Sequence, residues 1–175
     1  AMRALAFVAA AEVDRARYAQ EADAKAKHAG RVELLTPIVK GWLTELSQEM
    51  TYLNVQIHGG MGFIEETGAA QHYRDARILT IYEGTTGIQA LDFIGRKTLS
   101  DQGAALSLLL ADIQVTTEEL RAANTLHPSI LDGLESALAR GIMAREWLLQ
   151  SSAADANLAG SVSVNFLMLF GYLCG

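Results

Sequence analysis

The sequence predicts an all-α protein: an antiparallel helical bundle with extra helices at its C-terminal end. Half of its 175 residues are hydrophobic and only 19% are charged, which is enough apolar material for a buried core. Along most of the chain, apolar residues recur at spacings of three and four, the period of an amphipathic helix. Proline occurs only twice. The period-two alternation that is typical of strands is scarce.

Charge and composition narrow the expected partners and location. Fourteen basic against twenty acidic residues give a net charge of −6 without a basic stripe, so nucleic acid is not expected as a partner. One cysteine, Cys174, cannot form a disulfide framework and fits a reducing compartment. No apolar run approaches the length of a membrane span, and the first residues do not read as a signal peptide. We therefore expect a cytoplasmic protein.

Two long helices are predicted for the first third of the chain. The first covers 2–29 and is expected to end at Gly30, as at a C-cap glycine. The second begins between about 31 and 36 and runs to 58. Either Thr36 is its N-cap with Pro37 at the first helical position, or Pro37 lies in the first turn of a slightly longer helix. Its apolar stripe is expected to face the core: Leu35, Ile38, Val39, Trp42, Leu43, Leu46, Met50, Leu53 and Ile57.

The remaining helices are predicted to be shorter or plainer. Their expected spans are 67–78, Gly84 to Gly95 or Lys97, 102–125 with Asp101 as its cap, and 128–156 opened by Pro128. The helix at 67–78 is expected to be amphipathic, with Tyr73, Ala76 and Ile78 as its apolar residues. The expected packing residues of the later helices are Ile88, Leu91, Phe93, Ile94, Leu106, Leu109, Leu110, Ile113, Leu120, Ile130, Leu131, Leu134, Leu138, Ile142 and Trp147.

A weak boundary near 98–102 divides the chain into two parts. We assign residues 1–99 to one helical domain and residues 100–175 to a helical extension. The last segment, 158–174, is mostly apolar. Because such a segment needs a cover, we expect the chain to stop before the extension ends.

A glycine-rich segment ends the second long helix. It reads His58-Gly59-Gly60-Met61-Gly62-Phe63. Glycines there allow backbone angles closed to other residues and let backbone amides approach a ligand, although a helix cap followed by a turn explains the same residues. No strand precedes the segment and no Lys-Ser/Thr pair follows it, so it is neither a dinucleotide fingerprint nor a P-loop.

Glu83 directly precedes a predicted helix start, in Tyr82-Glu83-Gly84-Thr85. A carboxylate there caps or neutralises the positive end of the helix, which is one interpretation. The other is a general base, and it requires an apolar pocket that Ile81 and Tyr82 would help to form. The free amides and the Thr85 hydroxyl at such a helix start also suit an anion.

Other chemistry has little support in the sequence. His58 and His72 are 14 residues apart with no cysteine near them, so no metal site is predicted. His28 and His127 are expected in surface or loop positions. Arg74 and Arg77 belong to a charged cluster that is expected to be solvated or to fix the loop carrying Glu83. No nucleophile motif for hydrolysis is present.

Three segments together resemble the C-terminal helical domain of the acyl-CoA dehydrogenase family. They are Gln56-Ile57-His58-Gly59-Gly60-Met61-Gly62-Phe63, Tyr73-Arg74-Asp75-Ala76-Arg77-Ile78 and Ile81-Tyr82-Glu83-Gly84-Thr85-Thr86-Gly87-Ile88-Gln89. The resemblance spans roughly residues 2–98. The tail resembles the helical extension of a branch whose members include enzymes acting on 3-methylmercaptopropionyl-CoA.

The resemblance implies a flavoenzyme that removes two hydrogens across Cα–Cβ of an acyl-CoA thioester. Glu83 would abstract the α-proton while a hydride leaves Cβ for the flavin, and Tyr82 and Gly84 would contact the substrate. The FAD pyrophosphate of a neighbouring subunit would be touched by Gln56, Ile57, His58, Gly59 and Gly60. The adenosine part of the FAD of the same subunit would lie along Thr85, Thr86 and Gly87. Many relatives have glutamine in place of Gly87.

The resemblance also implies parts that this sequence lacks. A full member has an N-terminal helical domain, a β-domain and a first C-terminal helix with an arginine-phenylalanine-glycine segment. We therefore expect the 175-residue chain alone to have little activity and not to retain FAD. A homodimer or homotetramer that passes electrons to an electron-transfer flavoprotein is implied. The alternatives are a non-catalytic helical oligomerisation module and an acyl-CoA oxidase that uses oxygen.

Overall fold

The computed structural model describes residues 2–155 and 157–175, and every regular element in them is helical. The all-α prediction is confirmed. The α-helices are α1 Met2–Tyr18, α2 Ala22–His58, α3 Gly60–Phe63, α4 Ala69–Leu79, α5 Thr86–Leu91, α6 Ala104–Ala123, α7 Pro128–Ser151 and α8 Leu158–Cys174. A 3-10 turn covers Glu65–Thr67, and a π-helix, Asp92–Leu99, continues α5. The helix predicted for 128–156 ends at Ser151, and residue 156 lies outside the described residues.

Helix α2 is the central element, and the predictions of where it begins were wrong. It runs without interruption through Gly30 and Pro37, so neither residue ends or opens a helix. At 37 residues it is about 55 Å long. The Thr36 hydroxyl donates to the Val32 carbonyl at 2.7 Å, inside the helix, instead of capping its start. The break falls instead at residues 19–21, which join α1 to α2.

Helix α1 folds back along the first half of α2. Leu5 joins the same buried cluster as Leu34 and Leu35. Glu12 on α1 meets His28 on α2, where the ring Nδ1 donates to the carboxylate at 2.6 Å. His28 was predicted to be a surface or loop residue, and that prediction was wrong. The tight turn at 19–21 allows these contacts, because a single helix continuing to residue 29 would hold the contacting residues of α1 and α2 apart.

Glu12 gives the chain an acid-sensitive contact. The residue is 8% exposed, and its carboxylate also accepts from Arg15 at 2.6 Å. Burial alone raises the pKa of Glu12, but the hydrogen bonds and positive charges of His28 and Arg15 outweigh it and hold the pKa below the usual 4.5. A lowered folded-state pKa stabilises the fold above the unfolded pKa, and this contribution is lost as the pH falls.

We therefore expect Glu12→Gln to reduce how much the free energy of unfolding falls as the pH is lowered. At pH 7 the variant should lose about 1 kcal/mol, the difference between charged and neutral hydrogen bonds. Below pH 4.5 its free energy of unfolding should converge with that of the wild type. Urea unfolding between pH 3 and pH 7 measures both, with Glu49→Gln, at an exposed position inside α2, as the matched control. A constant difference at every pH would contradict the assignment.

The core lies where α2, the π-helix and α8 meet. Phe93, Phe166 and Phe170 form an aromatic cluster with ring centroids 4.8–5.6 Å apart. A Cβ added to Gly171 would lie 2.2 Å from a ring atom of Trp42, so α8 approaches α2 closely only because that residue is glycine. Residues of 100–175 thus share one buried cluster with residues of 1–99. The cover expected for the apolar tail is supplied by this chain itself.

Several predicted core residues are exposed. The α2 stripe is buried from Leu35 to Trp42 and opens to the surface toward its C-terminal end, where Ile57 is 83% exposed. The others that were wrongly assigned to the core are Met50, Leu53, Ile88, Leu91, Ile130 and Trp147. Periodicity correctly identified the apolar faces, but the chain does not cover all of them.

The described helices and acidic or metal-ligating side chains bear on two further kinds of function. In 2–155 and 157–175, every helix is too short or too polar to cross a membrane. Within the same residues, no group of three or more His, Cys, Asp or Glu side chains is placed to hold a metal ion.

Candidate functional site

Glu83 lies in an exposed turn between α4 and α5. Its φ is +53°, in the left-handed region that few residues other than glycine and asparagine adopt without cost. Gly84 follows with φ +93°, and Thr85 is the N-cap of α5, its hydroxyl accepting from the Ile88 amide at 3.4 Å. Two successive positive φ values turn the chain sharply and present Glu83 at its tip.

Three side chains hold the turn from different directions. Lys40 on α2 donates from Nζ to the carbonyl oxygens of Leu79 at 2.9 Å and Gly84 at 2.6 Å. The Gln89 amide donates to the carbonyl of Glu83 at 3.1 Å. Glu45 on α2 accepts from the Thr86 hydroxyl at 2.5 Å. The backbone of the turn is therefore fixed while the Glu83 side chain stays exposed.

The two arginines near the turn have separate contacts. Arg77 donates to the buried hydroxyl of Thr80 at 2.7 Å, at the start of the turn. Arg74 instead forms a two-point ion pair with Glu65, at 2.7 and 2.8 Å, on the 3-10 turn. Of the two residues that were predicted to fix the Glu83 loop, only Arg77 contacts it.

The apolar surround that was expected for Glu83 is open in this chain. Tyr82 is 47% exposed, and Ile81 is exposed to a similar extent. The Lys40 ammonium lies 5.8 Å from the centroid of the Tyr82 ring, near the outer limit of a cation–π contact. A base at Glu83 needs a substrate or another part of the protein to exclude water from it.

The glycine-rich segment lies at the far end of α2. Gly59 ends the helix with φ +59° and ψ −141°, a combination that is essentially restricted to glycine. Gln56 follows Lys40 by sixteen residues, so the segment lies about 24 Å along the helix from the anchor of the Glu83 turn. Within one chain, therefore, the two predicted half-sites lie apart.

The exposed groups of the glycine-rich segment determine which ligand it can bind. Gln56, His58, Gly59 and Gly60 are exposed, and nothing lies within 4 Å of a Cβ added to either glycine, so a large anion can approach the backbone. His58 Nδ1 donates to the Asn54 carbonyl at 2.8 Å. The outward Nε2 of a neutral ring is then an acceptor, so only a protonated His58 can donate to a phosphate. The Gly59 amide already donates to the Gln56 carbonyl at 3.1 Å, so the exposed Gln56 side chain is the group that suits a pyrophosphate here.

Few free hydrogen-bonding groups are available to a cofactor at Thr85, Thr86 and Gly87. The Thr85 hydroxyl accepts its capping hydrogen bond and keeps a proton to donate, whereas the Thr86 proton is already given to Glu45. A Cβ on Gly87 would meet only the Thr85 hydroxyl, at 3.9 Å, so the backbone there is open to a flat group. The roles of all three residues stay predictions.

An apolar surface surrounds the glycine-rich end. A cavity of about 700 Å³ is lined by Tyr52, Val55, Phe63, Ile64, Glu65, Ala70, Tyr73 and Arg74. Phe63 is 81% exposed. Exposed apolar area of this kind is typical of a surface that another polypeptide covers.

Sequence reasoning missed Lys40, Glu45 and Gln89. Lys40 was the most visible of them, because it interrupts the apolar run Ile38-Val39-Lys40-Gly41-Trp42. A charge on an otherwise buried face needs a partner, and that partner lies 39 to 44 residues away in the chain. No local pattern reveals such a contact.

The sequence of this helical chain matches a known class of protein. The family model for the C-terminal domain of acyl-CoA dehydrogenases matches residues 1–99, and the chain belongs to that family. Members of this family act on acyl-CoA, generally use FAD and are typically oligomeric. The family resemblance drawn from the sequence is confirmed.

Particular relatives extend the match beyond residue 99. A 3-methylmercaptopropionyl-CoA dehydrogenase of Ruegeria pomeroyi is 46% identical over 171 residues, 98% of this chain and 29% of that protein. A broad-specificity linear acyl-CoA dehydrogenase, FadE5, of Mycobacterium tuberculosis is 34% identical over 152 residues, 81% of this chain and 24% of that protein. The chain therefore spans less than a third of the length of these two relatives.

A solved structure supports the fold. The structure titled Bd2924 apo-form matches 97% of this chain and 30% of its own, with a TM-score of 0.56 and 24% identity. At that identity the match speaks for the helical architecture alone.

Proposed function

We propose that the protein containing this chain is an FAD-dependent acyl-CoA dehydrogenase in which Glu83 removes the α-proton of the thioester. The observation that carries the proposal is the turn itself. An exposed carboxylate is held on a fixed, positive-φ backbone at the start of α5, within the segment that resembles the family's catalytic one. Strained backbone around a titratable group is a pattern of functional sites.

The residues of this chain support a division of labour. Glu83 takes the proton from Cα, and Tyr82 and Gly84 lie beside it, where they contact the acyl thioester. A Cβ at Gly84 would come within 3.0 Å of the Gln89 amide and 3.3 Å of Ile88, so a larger residue there would disturb the turn. A bound flavin supplies the acceptor for the hydride that leaves Cβ. Substrate binding over Glu83 excludes the water that now reaches it.

The arrangement of the whole protein is part of the same proposal. Residues 1–99 form the family domain, and residues 100–175 form an extension packed on it. The segment from Gln56 to Gly60 serves the flavin pyrophosphate of a neighbouring subunit in a homodimer or homotetramer, and Thr85, Thr86 and Gly87 lie along the adenosine part of the subunit's own FAD. An electron-transfer flavoprotein is the electron acceptor. The 175-residue chain alone does not retain FAD and is inactive.

Anaerobic flavin reduction tests the activity. The full-length, flavin-loaded protein is mixed with 3-methylmercaptopropionyl-CoA, the substrate named for one relative, and with linear acyl-CoA thioesters of several lengths. Loss of flavin absorbance with formation of the α,β-unsaturated thioester is expected for at least one of them. Intact absorbance with all of them, in a stable oligomer, would favour the oligomerisation module, which the exposed apolar surface near Phe63 would also serve.

Re-oxidation then separates the two enzyme classes. A dehydrogenase is expected to consume little oxygen after reduction and to pass its electrons to an added acceptor. Rapid oxygen consumption with peroxide formation would favour the oxidase alternative.

A further inference from the structure

One ammonium group joins both ends of the turn that carries Glu83. Lys40 Nζ binds the Leu79 carbonyl, which closes α4, and the Gly84 carbonyl, which follows Glu83. The lysine belongs to α2 and is half-buried. Hydrogen bonds from a charged donor in partly dry surroundings are stronger than those between neutral groups on the surface.

The turn has a conformation that needs such support. A glutamate at φ +53° costs about 1–3 kcal/mol relative to an ordinary backbone conformation. The other anchors lie at its edges: Arg77 binds Thr80 at its start, and Glu45 binds Thr86 on α5. Among the residues that the structure describes, the side chains that bind the carbonyls of Glu83 and Gly84 themselves are Gln89, at 3.1 Å, and Lys40.

We propose that Lys40 is a positioning residue for Glu83, because its two hydrogen bonds fix the turn and thereby the direction of the carboxylate. The inference rests on the proposed role of Glu83 as the base. Without Lys40 the turn remains tied to α4 and α5 at its edges, so the expected defect is a misdirected base in a folded protein. A displaced catalytic group lowers the rate of the chemical step far more than it weakens substrate binding.

The test uses Lys40→Met in the full-length, flavin-loaded protein. Methionine keeps most of the apolar stem and removes the donors. We expect kcat to fall about 10- to 100-fold while KM changes by less than about threefold. Hydrogen exchange of the amides in residues 80–86 should accelerate, with exchange elsewhere and flavin content unchanged.

Lys97→Met is the matched control, because Lys97 is also a partly buried lysine but pairs with Glu33, away from the turn. It should leave kcat and the exchange of 80–86 unchanged. Lys40→Gln, which keeps one donor, is the second variant and should fall between wild type and Lys40→Met. If Lys40→Met yields no flavin-loaded protein, Lys40→Gln is measured in its place.

Two outcomes overturn the positioning role. One is a kcat within twofold of wild type in the Lys40 variant that loads flavin, and the other is unchanged exchange in 80–86. Glu83→Gln, measured alongside, shows whether the positioning role alone fails or the proposed base fails as well. If Glu83→Gln is inactive and the Lys40 variants are normal, only the positioning role fails. If Glu83→Gln stays active, the proposed base fails as well.

Discussion

Glu83→Gln in the full-length, flavin-loaded protein is expected to lower kcat for acyl-CoA oxidation by about 10²- to 10⁴-fold, the range over which a positioned general base contributes. Glutamine has nearly the shape of glutamate but cannot take the α-proton. The exposed Glu83 carboxylate forms no hydrogen bond with the residues that the structure describes, and the backbone of the turn is held by Lys40 and Gln89. Folding and FAD binding should therefore remain close to wild type.

The measurement is steady-state oxidation together with flavin content and thermal unfolding. Glu146→Gln, on the exposed face of α7, removes a charge of the same kind far from the turn and should be silent. A Glu83→Gln enzyme that keeps more than about a tenth of wild-type kcat would place the base elsewhere in the protein.

Phe170→Ala is expected to destabilise the 175-residue chain by about 3–5 kcal/mol, the usual cost of emptying an aromatic site in a core. Phe170 is fully buried and packs edge-on against Phe93 of the π-helix and at a tilt against Phe166 of α8. If residues 100–175 were an independent appendage, the loss would be confined to them. Because the cluster is shared with residues 1–99, one cooperative transition should shift as a whole.

Urea unfolding followed by circular dichroism measures this shift. Val164→Ala, on the exposed side of the same helix, should change the free energy of unfolding by less than about 0.5 kcal/mol. Two separate transitions in Phe170→Ala, with the second at the wild-type midpoint, would show that the extension unfolds by itself.

The helices were predictable because their periodicity is local, and the breaks between them were not. Gly30 costs only about 1 kcal/mol inside a helix, and the contacts of Leu5 and Glu12 with α2 outweigh that cost. Residues 19–21 include no residue that strongly ends a helix. The contacts that α1 makes with α2 determine where the turn lies. The burial of Phe93 was correctly predicted, but the π-helical form of its segment was not, since no pattern in so short a segment marks the change from i→i+4 to i→i+5 hydrogen bonding.

For the site, sequence located Glu83 and the glycine-rich segment but not what holds them. A carboxylate before a helix start and glycines after a helix end are both visible in a short window. The anchors of Lys40 and Glu45 connect residues about 40 positions apart, and only the packing of α2 against α4 and α5 brings them together. Exposure of the turn was equally unpredictable, because it depends on which surfaces this chain leaves uncovered.

Because of the positive φ at position 83, stability and catalysis favour different residues there. Glycine would occupy that conformation without the cost a glutamate incurs, and it would leave every backbone anchor of the turn in place. Selection for stability alone therefore favours the loss of the carboxylate, whereas selection for proton removal opposes it. An engineering campaign on this protein that ranks variants only by melting temperature would move toward a firmer scaffold without its base.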